Sequence, residues 1–211
     1  DRLRWVATAA RHASTLGFRL EEFWAPVYDD WMRLARVFRS RNIQGLIRIP
    51  PILWNSPDAS GDSCYGWNFR DPATWPWRDF PWQEFSAISM GWNIGPDHHQ
   101  VVHNQTQGVG LAVSKLAALG YRKIGIVLHT INERNADYYW LAGYLAKCAE
   151  LGLTPLYLTD KRSYTDPCYI ECVAQWLSRH RPDAVVAPGD GDILPALRLA
   201  KLRTTEDIAV A

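Results

Sequence analysis

Gly108-Val109-Gly110-Leu111-Ala112-Val113-Ser114-Lys115-Leu116-Ala117-Ala118-Leu119-Gly120-Tyr121-Arg122-Lys123-Ile124-Gly125-Ile126-Val127 changes its hydrophobic period halfway along. Leu111, Val113, Leu116 and Leu119 predict a helix that ends at Gly120, where a C-terminal cap belongs. Lys123 to Leu128 is a short, nearly unbroken apolar run, which predicts a strand covered on both faces. A helix that stops at glycine and feeds a doubly buried strand is the repeating step of a parallel sheet wrapped in helices.

The same alternation continues in both directions. Toward the C-terminus come a helix over 136–151 with Gly152 behind it, and a strand from Pro155 to Leu158. A helix then opens at Asp166-Pro167, followed by a strand from Ala184 to Ala187, a helix over 192–202 and a strand from Ile208 to Ala211. Toward the N-terminus, Leu3, Val6, Ala10, Ala13 and Leu16 keep helical spacing up to Gly17, and Phe18 to Trp24 reads as a strand. Asp29 or Asp30 caps a second helix with an inward stripe of Trp31, Leu34, Val37 and Phe38. Strands follow at Gly45–Ile49 and Ser86–Gly91, and Gln100 to His103 reads as a short extended crossover. Between the first two of these strands the pattern dissolves into Trp, Pro, Gly, Asp and Ser from Trp54 to Pro81, a long irregular excursion. The sequence has no internal repeat.

At 211 residues the chain is long enough for one large domain or two small ones. Its formal net charge of +1 lacks the basic excess that marks a nucleic-acid-binding face. No apolar run approaches the roughly 18 residues that would span a bilayer, and no signal-peptide core precedes the first helix. Cys64, Cys148, Cys168 and Cys172 form no dense disulfide framework, which fits a reducing cytoplasm. Cys168 and Cys172 share a helical spacing, but no second Cys/His pair completes a zinc set, so no metal and no cofactor is expected.

Residues 108–127 resemble the helix–turn–strand signature of LacI-type (LacI/GalR) transcription regulators, with Tyr121 in place of a histidine. Leu141-Ala142-Gly143-Tyr144 resembles the family's leucine–alanine–glycine–aromatic helix. Arg181-Pro182-Asp183-Ala184-Val185-Val186-Ala187, then Ala196-Leu197-Arg198 and Glu206-Asp207-Ile208-Ala209-Val210, resemble its late strand–helix–strand unit. These pieces lie in the expected order across most of residues 100–211, and residues 1–49 agree less specifically. The resemblance implies an α/β fold of the periplasmic-binding-protein-like class I: two Rossmann-like parallel-sheet lobes, residues 1–103 and 104–211, with a ligand between them. It also implies a helix-turn-helix segment and a first strand ahead of Asp1, and a crossing stretch after Ala211. The chain is therefore read as a fragment truncated at both ends.

In open α/β sheets ligands bind beyond the carboxyl ends of the strands, where loops and helix N-termini converge. Four such places supply candidates. His103 and Asn104 stand where the chain enters the second lobe; either lines the cleft, or the pair forms a hinge turn with Asn104 capping a helix. In the loop His129 to Asn135 and the helix after it, the resemblance implies an arginine just before Leu141, but Trp140 is there instead. An indole stacks on the apolar face of a sugar and donates one hydrogen bond, or simply packs in the core. Arg134 is the nearby cation. The run Pro188-Gly189-Asp190-Gly191-Asp192 offers Asp190, which matches a family aspartate and suits vicinal hydroxyls, with Asp192 as the helix cap; its spacing is short of a calcium loop. The fourth place is aromatic, with Trp54, Trp67, Trp75, Trp77, Trp82 and Trp92. Most of these serve to pin an irregular segment, while Trp54 and Trp92, near strand ends, are the ligand candidates. His98-His99 is an exposed-turn pair.

No nucleophile elbow, P-loop, dinucleotide fingerprint or zincin motif is present, so the expectation is a binding protein and not an enzyme. The resemblance implies the effector-sensing domain of a cytoplasmic regulator. It would bind a small molecule, with a carbohydrate as the expected class, act as a homodimer and reach operator DNA through a segment absent here, with no membrane partner. The alternative is a stand-alone solute- or sugar-binding protein of a transport system.

Overall fold

The computed structural model describes residues 2–23, 30–49, 78–90, 99–130, 133, 136–162, 167–187 and 190–211, with side chains at all of these except 2–5, 167 and 190–192. Along the chain run α1 (Arg2–Thr15), α2 (Trp31–Ser40), β1 (Gly45–Arg48), β2 (Ser86–Met90), β3 (His99–Val101) and α3 (Gln105–Ala118). They are followed by β4 (Ile124–His129), α4 (Tyr139–Leu151), β5 (Leu156–Asp160), α5 (Pro167–His180), β6 (Ala184–Val186), α6 (Asp190–Leu199) and β7 (Ala209–Val210). The strands form two sheets, ordered β1-β2-β3 and β5-β4-β6-β7, and every pairing is parallel. This is the α/β architecture that the alternating periods predict.

The second sheet is wound on both faces. Ile124, Ile126 and Leu128 of β4 pack against Val109, Val113 and Leu116 of α3 and Tyr144 and Cys148 of α4. Val127 instead meets Tyr169, Val173 and Leu177 of α5, with Ile193 and Leu197 of α6. Both faces of β4 are therefore dry, which is why its sequence shows no polar alternation. Each fully buried aliphatic side chain stabilises the lobe by about 1.5–3 kcal/mol relative to exposure. Gly125 interrupts the run because a Cβ there would sit 2.7 Å from the Trp176 ring. At the amino ends of the strands the Asp183 carboxylate accepts from the backbone N–H groups of Arg122 (2.9 Å) and Lys123 (3.0 Å). The Arg181-Pro182-Asp183 segment thus locks β6 to the start of β4, at the edge opposite the strands' carboxyl ends.

Around the first sheet, Asp30 caps α2 by accepting from Met32 N–H (2.8 Å). Leu34, Ala35 and Phe38 of that helix bury against Phe80, with Phe23, Leu46, Trp82 and Phe85 at the rim. A two-point ion pair, Arg39 to Glu84 at 2.7 Å on both arms, fastens α2 to the short turn before β2. Trp82 lies 4.5 Å from the Phe80 ring and under the Arg48 guanidinium, so this member of the aromatic stretch pins structure.

Three local expectations change. The described residues of the segment Phe18 to Trp24, 18–23, are not a strand. A strand needs a ladder partner, and β1, at the end of its sheet, is paired to β2 alone. Helix α4 begins at Tyr139 and not at 136, because Asp137 (φ 50) and Tyr138 (φ 63) take the left-handed conformation. Finally, α6 opens at Asp190, which puts Asp192 inside the helix, where a residue cannot serve as the non-helical cap.

Candidate functional site

The order β5-β4-β6-β7 contains a switch point. From β4 the chain steps outward to β5, then returns across β4 to lay β6 on its other side. The helices that follow β4 and β6, α4 and α6, accordingly pack on opposite faces of the sheet, the arrangement in which open α/β sheets bind ligands beyond the carboxyl ends of their strands. Residues 130–138 follow β4, and residues 187–189 lie between β6 and α6. The first sheet contributes the end of β3, where Val102, His103 and Asn104 run directly into α3.

His103 and Trp140 are brought together there: their rings meet edge-on with centroids 6.3 Å apart. His103 comes from the end of β3 and Trp140 from the first turn of α4, so this contact joins the carboxyl ends of the two sheets. His103 is exposed. Trp140 is half-buried and leans on the core under α3 and α4, so both readings of its indole hold in part. Asn104 is the N-cap of α3: its Oδ1 accepts from Gln107 N–H at 2.9 Å. Asp190 is the first residue of α6, and its side chain lies outside the description. Arg134, Trp54 and Trp92 also lie outside the described residues, as do Trp67, Trp75, Trp77 and His98. His99 is an exposed residue of β3.

Two helices set the His103–Trp140 geometry, and they touch where a side chain is missing. A Cβ on Gly143 would fall 2.6 Å from the carbonyl oxygen and 2.7 Å from the Cα of Thr106. The bare backbone lets α3 and α4 meet two residues beyond the Asn104 cap, and the Thr106 hydroxyl donates across this contact to the Tyr139 carbonyl (3.2 Å). Deeper in the same helix, the Tyr144 hydroxyl donates to Ile124 O (2.8 Å) and accepts from Leu156 N–H (2.7 Å). That phenol therefore stitches β4 to β5 from beneath. Desolvation pushes it well above the usual phenol range, so it stays protonated.

Sequence reasoning missed four polar residues at this edge. Glu133 is almost wholly buried, at 1% exposure, and its Oε2 accepts from Leu141 N–H (3.1 Å) in the first turn of α4. Burial pushes its carboxyl above the ordinary range, and the Leu141 bond offsets this only partly. His129, buried at the end of β4, packs edge-on against Tyr169 (5.6 Å) and hydrogen-bonds through Nε2 to the Arg162 carbonyl oxygen. Burial lowers its pKa, while the Arg162 carbonyl and the Asp160 carboxylate pull the other way. A carbonyl oxygen has no proton to donate, so in this bond Nε2 carries the proton. Asp160, paired with His129 across the ladder, takes Arg162 Nε (3.0 Å) and Nη2 (2.7 Å) as a fork. The second Arg162 arm donates to Cys168 O at 2.9 Å. Desolvation acts to raise the Asp160 carboxyl, but the hydrogen bonds from Arg162 outweigh it and leave it lowered. Applying the carboxyl-end rule to β5 would have found Asp160 and Arg162. Glu133 had no such signal, because its partner lies eight residues on, around two left-handed residues.

An aromatic edge, a capped helix start and the Asp160–Arg162 ion pair thus stand at the carboxyl ends of the strands. Among the described residues no cluster of three or more metal-ligating side chains occurs, and no helix is long and apolar enough to cross a membrane. The arrangement defines a Rossmann-like parallel α/β fold. Residues 113–211 match the family model described as a periplasmic binding protein-like domain. The fold is similar to that of LacI-family regulators, as three solved structures illustrate. A regulatory protein of the LacI family from Chloroflexus aggregans aligns over 97% of this chain and 69% of its own, with TM-score 0.61 and 19% identity. The Cra transcriptional dual regulator from Pseudomonas putida, in complex with fructose 1-phosphate, aligns over 99% of this chain and 72% of its own (TM-score 0.61, 14% identity). A sugar-binding LacI-family regulator from Escherichia coli, complexed with phosphate, aligns over 97% and 69% (TM-score 0.60, 18% identity). No curated protein matches the sequence.

Proposed function

We propose that this chain is the effector-sensing domain of a LacI-type transcription regulator, with lobes at residues 1–103 and 104–211 and a small-molecule crevice between them. One observation carries the reading: the His103–Trp140 contact, which joins the carboxyl ends of two parallel sheets at a topological switch point. The effector is a sugar or sugar derivative, stacked on Trp140, with His103 and Asn104 at one rim and Asp190 at the other. Arg134, Trp54 and Trp92 complete the candidate set. The sugar- and sugar-phosphate-binding regulators among the structural neighbours support the same reading. Binding would favour one lobe arrangement over another and so bias a cytoplasmic homodimer toward or away from operator DNA, without chemistry on the ligand.

The test is a thermal-shift screen of the chain against mono- and disaccharides and sugar phosphates. A ligand at a hundred times its Kd stabilises the native state by about 2.7 kcal/mol, enough for a clear rise in Tm. Trp140→Ala should abolish the shift. No shift across the panel, or one indifferent to Trp140→Ala, would contradict the proposal. The second reading, a stand-alone solute-binding protein, draws on the same family match. Operator binding by the intact parent protein separates the two.

A further inference from the structure

We infer that Glu133 is a positioning residue for the crevice: its buried carboxylate caps α4 from outside the helix and thereby sets the place of Trp140. The first turn of any helix leaves amide donors without intrahelical partners. They are ordinarily met by a short Ser, Thr, Asp or Asn side chain at the cap. In α4 that position belongs to Tyr138, whose side chain makes no capping hydrogen bond. A phenol oxygen stands too far from its own backbone to reach the next turn. Glu133 takes over the task, its Oε2 accepting from Leu141 N–H at 3.1 Å, while its backbone carbonyl accepts from Tyr138 N–H at 2.7 Å.

One residue thus holds Tyr138 by its backbone and Leu141 by its side chain, and Trp140 sits between these two anchor points. A negative charge at this end is also the sign that the helix dipole favours. The other carboxylate oxygen, Oε1, is buried with no hydrogen-bond partner among the described residues. Such an atom costs stability unless the site repays it. That is the mark of a residue kept for where it holds its neighbours. The inference rests on the crevice reading above only for the meaning of Trp140, not for the geometry.

The experiment uses the full chain labelled with 5-fluorotryptophan, with the Trp140 resonance assigned by its loss in Trp140→Phe. Glu133→Ala removes the cap, and the Trp140 fluorine resonance should move by more than its linewidth. Glu133→Gln keeps an acceptor for Leu141 N–H, and the resonance should return to its wild-type position even if Tm differs. Glu133→Asp, which draws the carboxylate back by about one C–C bond, replaces the alanine variant should that fail to fold, and should displace the resonance likewise. An unmoved resonance in the alanine or aspartate variant would overturn the inference, as would a Gln variant that fails to restore it. No ligand enters the measurement, so its failure leaves the sugar proposal standing, and a failed sugar screen leaves this result untouched.

Discussion

Replacing Gly143 by alanine tests how closely α3 and α4 must approach. The added Cβ would lie 2.6 Å from Thr106 O, 2.7 Å from Thr106 Cα and 3.0 Å from Thr106 C, all backbone atoms of α3. Carbon atoms rest at about 3.5–4.0 Å, so relief requires the helices to part by roughly 1 Å, a gap that forfeits about a quarter to a half of each contact it stretches. The contacts at stake are those of Val109, Val113 and Leu116 with Tyr144 and Cys148. Overpacking of a rigid site costs about 1–3 kcal/mol, and with no side chain able to yield the upper end applies. Alanine returns about 1 kcal/mol of helix propensity over glycine. The net expectation is a loss of about 2 kcal/mol, or roughly 4–8 °C in Tm for a chain of this size. Thermal unfolding followed by far-ultraviolet circular dichroism measures it. A Gly143→Ala variant that melts at or above the wild-type temperature would refute the close-approach reasoning.

Three further outcomes follow from the same geometry. Tyr144→Phe leaves Leu156 N–H without its phenol acceptor and should cost about 1–3 kcal/mol, seen as a lower urea midpoint with unchanged m-value. Asn104→Ala removes the cap of α3 and should cost about 1 kcal/mol by the same assay, with Asn104→Asp retaining most of it. Asp160 is lowered in the folded state, so its contribution is present above the unfolded carboxyl value near 3.9 and fades as pH falls through the lower folded value. The wild type should therefore lose stability more steeply below about pH 4 than Asp160→Asn does; parallel acid limbs would remove Asp160 from the account.

Much of the fold was legible because burial writes itself into spacing. β4 is covered on both faces and reads as an unbroken apolar run, while α3 stops at Ala118 and Gly120, two residues on, takes a positive φ of 100. The strand expected at Phe18–Trp24 failed because apolar content records a wish to be buried and says nothing of a ladder partner. The helix expected from 136 starts late because the left-handed turn at Asp137–Tyr138 uses residues with no glycine to announce it. At the site, the carboxyl-end rule led to His103, Asn104 and Trp140, and Trp140 does meet His103. The same rule was not carried to β5, where Asp160 and Arg162 lie. Glu133 stayed hidden, since a cap delivered from eight residues away is a tertiary fact.

Backbone amide chemical-shift mapping with the strongest sugar from the thermal screen tests the crevice most directly. The account predicts that the perturbed amides gather at His103, Asn104, His129 and Trp140. Perturbations gathered instead at the opposite edge, around Lys123 and Asp183, would contradict it.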